Sequence, residues 1–124
     1  MSVPESLRVY ITKGNVVPLY VTLYNDLSVY DLTAATVWFT VKRYVTDSDE
    51  TALIRKKWPA TLAIPDAVSG MIKININNSD TTNITNSWFS YYPFDIQVKD
   101  SIGNIITTTY GSLGVYPGIT VAKS

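Results

Sequence analysis

The chain has 124 residues, with ten basic and ten acidic side chains, no net charge, no His and no Cys. That length suits one domain able to bury roughly two-thirds of its unfolded surface. The balance of charge argues against a nucleic-acid footprint, which is basic. The missing His and Cys exclude a Ser-His-Asp triad, a thiolate nucleophile and any disulfide framework.

Taken in chain order, Met1–Ser6 has no basic region followed by an apolar stretch, so it does not read as a signal peptide. Nor does any apolar run reach the roughly 18 residues of a membrane helix. Leu7–Thr12 is a weak strand, closed by the turn Lys13-Gly14-Asn15. Leu19, Val21 and Leu23 then alternate with Tyr20, Thr22 and Tyr24, a half-buried strand. Pro18 near its start predicts an edge or a bulge. After Asn25-Asp26 and Asp31-Leu32-Thr33, Val37, Phe39 and Val41 alternate with Trp38, Thr40 and Lys42. Thr46–Thr51 is a charge-rich loop, and Ala52–Trp58 a weaker strand.

Pro65-Asp66 and Ser69-Gly70 are turn signals before Ile72, Ile74 and Ile76. Ser79–Ile84 is the one short helical turn expected, with Ser79 or Asp80 as its cap. Phe94, Ile96 and Val98 alternate with Asp95, Gln97 and Lys99, and Pro93 marks a strand start or an edge kink. Ile102-Gly103-Asn104 is a hairpin turn into Ile105–Gly111. Together these predict an all-β sandwich of about seven strands, one domain over residues 1–124, with loose tails at Met1–Ser6 and Gly118–Ser124. The predicted core is Leu19, Val21, Leu23, Val37, Phe39, Val41, Ile72, Ile74, Ile76, Phe94, Ile96 and Val98.

Candidate chemistry is sparse. Asp95 and Asp100 are the carboxylates near the aromatic-rich strand, but Asp95 alternates outward and Asp100 opens a turn. Asp47, Asp49 and Glu50 offer oxygen ligands without the spacing of a calcium loop, and read as a solvated loop tip. Asn77-Asn78-Ser79 and Asn83-Ile84-Thr85 match the glycosylation sequon, yet read as turn residues. No catalytic, cofactor-binding or metal-binding residue is predicted, and the chain is expected not to be an enzyme.

The aromatic content stands out: nine Tyr and three Trp, in a chain only 16% charged. Tyr serves cross-strand pairing, and it also anchors interfaces and stacks on sugars. Tyr20, Tyr24, Trp38 and Tyr91 are candidate contact residues, together with Ile119 and Val121 of the C-terminal tail. That tail can add a strand to a neighbouring sheet, with Ile105–Tyr110 as a possible receiving edge.

Four motifs carry a resemblance: Asp31-Leu32-Thr33-Ala34-Ala35-Thr36-Val37, Gly70-Met71-Ile72-Lys73-Ile74, Ser79-Asp80-Thr81-Thr82 and Tyr92-Pro93-Phe94-Asp95-Ile96-Gln97-Val98-Lys99-Asp100. With Gly14-Asn15 before the first alternation and Gly111–Val115 near the end, they resemble the immunoglobulin-like module of bacteriophage virion proteins. The N-terminal domain of phage baseplate upper proteins is its nearest form. Ala34 stands where that family usually has Gly, and Phe94 where it has Tyr.

The resemblance implies an immunoglobulin-like sandwich and a structural protein of the virion, assembled in the bacterial host cytoplasm. Such a protein docks on other virion proteins of baseplate, tail, neck or capsid, as a homo-oligomer or in many copies, without nucleic acid, membrane or cofactor. In the larger baseplate proteins a coiled coil follows the module; here a free-standing module is expected. The alternative is a carbohydrate-binding module for host-surface recognition.

Overall fold

The computed structural model describes residues 5–25, 28–59, 62–81, 84 and 89–117. The described residues form ten strands in chain order: β1 (Glu5–Thr12), β2 (Val17–Thr22), β3 (Tyr24–Asn25), β4 (Ser28–Val29), β5 (Thr36–Val41), β6 (Ile54–Trp58), β7 (Ala63–Asp66), β8 (Met71–Ile76), β9 (Ser90–Lys99) and β10 (Ile105–Tyr116). A 3₁₀ turn covers Asp49–Thr51, and the single helical turn α1 covers Asn78–Thr81. Five strands form one sheet in the order β1-β10-β9-β5-β6, and three form the other as β2-β8-β7. This is an immunoglobulin-like sandwich, in which the first strand joins the last by parallel pairing.

Alternation explains the core. β5, β8 and β9 each bury every second side chain. All the predicted core residues are buried except Leu19, which is half-buried against them. On the inner face of the large sheet the Phe39 and Phe94 rings, from the neighbouring strands β5 and β9, lie 5.4 Å apart and tilted by 51°. Ile11, Leu32, Ala35, Ile54, Leu62, Ile84, Tyr92, Leu113 and Val115 also belong to the core, several of them from outside the alternating runs.

Local chemistry sets the turns. The Asp31 carboxylate accepts from Thr33 N–H (2.9 Å) and Thr33 O–H (2.7 Å), which plugs Leu32 into the core. Ala34 follows at φ 60°, in the left-handed region that a Gly would occupy without strain. Gly70 needs its missing side chain more directly, with φ 71° and a notional Cβ only 2.6 Å from the Tyr30 carbonyl oxygen.

The edges differ in part from expectation. Pro18 does lie on an edge strand, since β2 pairs only with β8. Pro65, read as a turn, sits inside β7 at the opposite edge, where a missing N–H is tolerated. Pro93 lies within β9, where the β5 ladder ends: its carbonyl accepts from Lys42 N–H (3.0 Å), so its nitrogen faces that same side. Of the Ile105–Tyr110 segment, Thr109 and Tyr110 are already covered by β1, whose described residues pair with β10 from Thr109 to Tyr116. The edges of the large sheet are β1 and β6 instead.

Candidate functional site

The outer face of the five-stranded sheet gathers the exposed aromatic residues. In β1, Leu7, Val9 and Ile11 turn toward the core while Arg8 and Tyr10 turn outward. Register places Tyr10 beside Gly114, and Gly114 beside Tyr91. Gly114 leaves a floor on which Phe89 lies: a Cβ there would stand 2.8 Å from one Phe89 ring carbon and 3.0 Å from Tyr10.

Phe89 is therefore the hub. Its ring centroid is 4.4 Å from Tyr116, 4.7 Å from Tyr91 in an edge-on arrangement, and 6.1 Å from Tyr10. Edge-on and offset pairs of this kind add to the stabilisation from burial alone. The Arg8 guanidinium sits 5.1 Å from the Tyr91 ring centroid, within cation–π range. Tyr10, Tyr91 and Tyr116 nonetheless leave 49%, 48% and 48% of their surface in solvent. The Tyr91 hydroxyl, and then Arg8, hold the Tyr10 hydroxyl below the usual tyrosine range, while the contact with Tyr10 pushes Tyr91 above it.

Farther along the same face lies a two-lobed cleft. One lobe, about 270 Å³, is bounded by Val45, Pro93, Thr107 and Tyr110. The other, about 350 Å³, is bounded by Trp38, Asp49, Arg55, Gln97 and Ile105. Thr40, Lys42 and Asp95 line both. Lys42 is held by Asp49, Nζ to Oδ1 2.9 Å, which keeps the Asp49 carboxyl below the ordinary range. Asp95 stands on the central strand, half-buried, and burial pushes its carboxyl up against the opposing pull of Lys42. No hydrogen bond or ion pair engages the Asp95 carboxylate among the described residues.

The predicted contact residues are divided by the fold. Trp38 (half-buried) and Tyr91 share the outer face of the large sheet, one in the cleft and one in the aromatic cluster. Tyr20 is on the other sheet, 60% exposed, with Lys73 Nζ 5.6 Å from its ring centroid. Tyr24 lies in the small β3–β4 pair, 39% exposed. Ile119 and Val121 fall outside the described residues. Tyr10, Phe89, Tyr110 and Tyr116 of this face are not among the predicted contact residues. The alternation of Leu7, Val9 and Ile11 marks Tyr10 as outward, but only the parallel β1–β10 pairing brings it to Tyr91.

The acidic loop is engaged locally: besides the Lys42 pair, Asp47 accepts from Tyr44 N–H (3.3 Å). Among the described residues no three acidic side chains converge as a metal site, and no helix is long and apolar enough to cross a membrane. The chain matches no protein-family model and no curated protein.

Proposed function

We propose that this chain is a structural protein of a bacteriophage particle, acting by docking on other virion proteins and not by catalysis. The observation that carries the docking is the cluster of Tyr10, Phe89, Tyr91 and Tyr116 with Arg8, whose three tyrosines stay about half-exposed at a sheet edge. Rigid, wet-tipped aromatic side chains beside an Arg are the composition of an interface hot spot. The placement in a virion rests on the motif resemblance. Binding is favoured over acid–base chemistry because Asp49, the second carboxylate of the cleft, is committed to Lys42.

The test is particle incorporation of a triple variant, Arg8→Glu, Tyr10→Ser and Tyr91→Ser. Its far-ultraviolet spectrum should match the parent, because all three side chains are on the outer face. It should be lost from purified particles, since truncating hot-spot residues costs at least about 2 kcal/mol each. Cross-links in the parent particle should map to this face, within an interface above roughly 1,000 Å². Particles that retain the variant at parental copy number, or that never contain the parent, overturn the reading. So does hydrolysis of a glycan, ester or peptide that disappears with Asp95→Asn.

A further inference from the structure

We infer that the cleft around Asp95 is a binding site for a neutral, hydroxyl-rich oligosaccharide, separate from the docking cluster at the β1 edge. The inference goes beyond the docking reading and rests on different residues.

Its first support is an acceptor without a donor. Asp95 is half-buried in the middle of the central strand, and no donor among the described residues reaches its carboxylate. Folding gains nothing from such a group: burial disfavours its charge, as the raised titration of Asp95 reflects. An ionised carboxylate only accepts hydrogen bonds, and paired sugar hydroxyls donate them.

The second support is the arrangement around it. Thr40 and Tyr110 stand opposite Asp95 on the two neighbouring strands, and Gln97 is two residues along, opposite Trp38 and Thr107. Hydroxyl, amide and carboxylate groups thus converge on one surface, flanked by the rings of Trp38 and Tyr110. Aromatic faces beside planar polar groups suit sugar rings, which present both C–H faces and hydroxyl edges.

The placement of Tyr110 is itself a built feature. The β9–β10 register shifts between Thr107 and Thr109. Thr107 pairs with Gln97, Thr109 with Ile96 and Tyr110 with Asp95, so Thr108 is the extra residue of a bulge. Its hydroxyl turns inward and donates to the Ile96 carbonyl (3.3 Å). A regular ladder would bring the small Thr109 opposite Asp95; the bulge brings Tyr110.

Charge then selects among ligands. Lys42 and Arg55 balance Asp49 and Asp95 within the cleft, so no net field draws a phosphate, an acidic sugar or a basic peptide. Lys42 and Arg55 still offer donors for hydroxyl oxygens. The two lobes share Thr40, Lys42 and Asp95 as lining, so Asp95 stands between two neighbouring hollows, which favours a chain of sugars over a single ring.

The experiment is an amide-detected NMR titration of the whole chain. The probes are neutral gluco-, manno- and N-acetylglucosamine oligosaccharides, with an oligogalacturonate as the charged comparator, to about ten times a millimolar Kd. At least one neutral probe should shift the amides of Thr40, Asp95, Gln97 and Tyr110. Asp95→Asn and Trp38→Ala should each weaken it at least about tenfold, by loss of a charged acceptor and of a stacking face. Tyr110→Ala replaces Trp38→Ala if the latter unfolds. Tyr10→Ala, in the docking cluster, should leave the Kd unchanged. The inference is overturned if no neutral probe shifts those amides, if the galacturonate binds more tightly, or if Asp95→Asn binds as the parent does. A failed docking test with the Arg8/Tyr10/Tyr91 variant leaves this titration unaffected, so the two readings fail independently.

Discussion

Removing either member of the Lys56–Asp80 pair should give unequal losses of stability. Lys56 is on β6, directly across from Phe39, and only 8% of it is exposed. Its Nζ lies 2.8 Å from Asp80 Oδ2 on α1, which ties the edge of the large sheet to the crossover between β8 and β9. The same Asp80 oxygen also accepts from Asn77 N–H (2.7 Å). The two partners therefore have different reserves. Asp80→Asn keeps an oxygen for the Asn77 N–H but strands an ammonium whose side chain is 9% exposed. Breaking a buried pair in this way costs about 3–5 kcal/mol, and the low end applies because Asp80 lies near the surface at 17% exposure.

Lys56→Met leaves Asp80 with its backbone donor and partial solvation, and puts an apolar stem in the same space. Its cost should be about 1–1.5 kcal/mol, near the low end for a charge-assisted bond. Lys56→Met combined with Asp80→Asn should recover about 1–2 kcal/mol relative to Asp80→Asn alone, because the stranded charge is gone. Urea unfolding with a shared slope reads these differences. The order expected is Asp80→Asn most damaging, then the double variant, then Lys56→Met. Equal losses in the two single variants would refute the reasoning, as they would mean that both charges are equally solvated.

Ala34→Gly should stabilise the chain by about 0.5–1 kcal/mol, since relief of a left-handed Ala outweighs the entropy of the added Gly; a lower urea midpoint would contradict this. Asp95→Asn should also stabilise, but only where Asp95 is ionised in the fold. Its folded titration is raised by burial, so its favourable contribution is present below the unfolded value near about 3.9 and is lost as pH rises through the folded value. The variant should thus gain at pH 7 and match the parent near pH 3, and a gain independent of pH would sink the assignment. Truncation after Pro117 keeps all of β10, which ends at Tyr116, so the melting temperature should be little changed while particle incorporation falls. A truncated chain that fails to fold would place the tail in the domain's own sheet.

Much of the fold was legible because one physical rule generates it. A strand with one face on the core alternates, and β5, β8 and β9 alternate without interruption. The rule fails where burial is not periodic. Leu32 and Leu62 reach the core from outside the strands, so no run of residues announces them. Pairing between strands distant in sequence was illegible for a different reason. Nothing local distinguishes a β10 open at an edge from one covered by β1, and the pairing of Glu5 with Thr109 joins opposite ends of the chain. The contact residues suffered most from this. Outward placement follows from alternation, and it marked Tyr20, Tyr24 and Trp38 alike. Convergence needs the strand order, which separates Tyr20 from Trp38 by putting them on different sheets.

Strand order also explains how one face can hold two sites. Both β9 and β10 reach the two sites: Pro93, Asp95 and Gln97 of β9 and Thr107 and Tyr110 of β10 wall the cleft, while Tyr91 of β9 and Gly114 and Tyr116 of β10 belong to the aromatic cluster. The bulge at Thr108 re-phases the strand after Thr107. Without it, the residues that follow would exchange faces, and Tyr110, Gly114 and Tyr116 would turn inward as Leu113 and Val115 turned out. A residue inserted after Thr109 should therefore damage both sites and the core together, whereas deleting Thr108, which leaves the Thr107–Gln97, Thr109–Ile96 and Tyr110–Asp95 pairs as a regular ladder, should keep the two faces in phase. An insertion after Thr109 that keeps the parental urea midpoint and the glycan-dependent amide shifts would show that the register after Thr107 does not set the phase of this face.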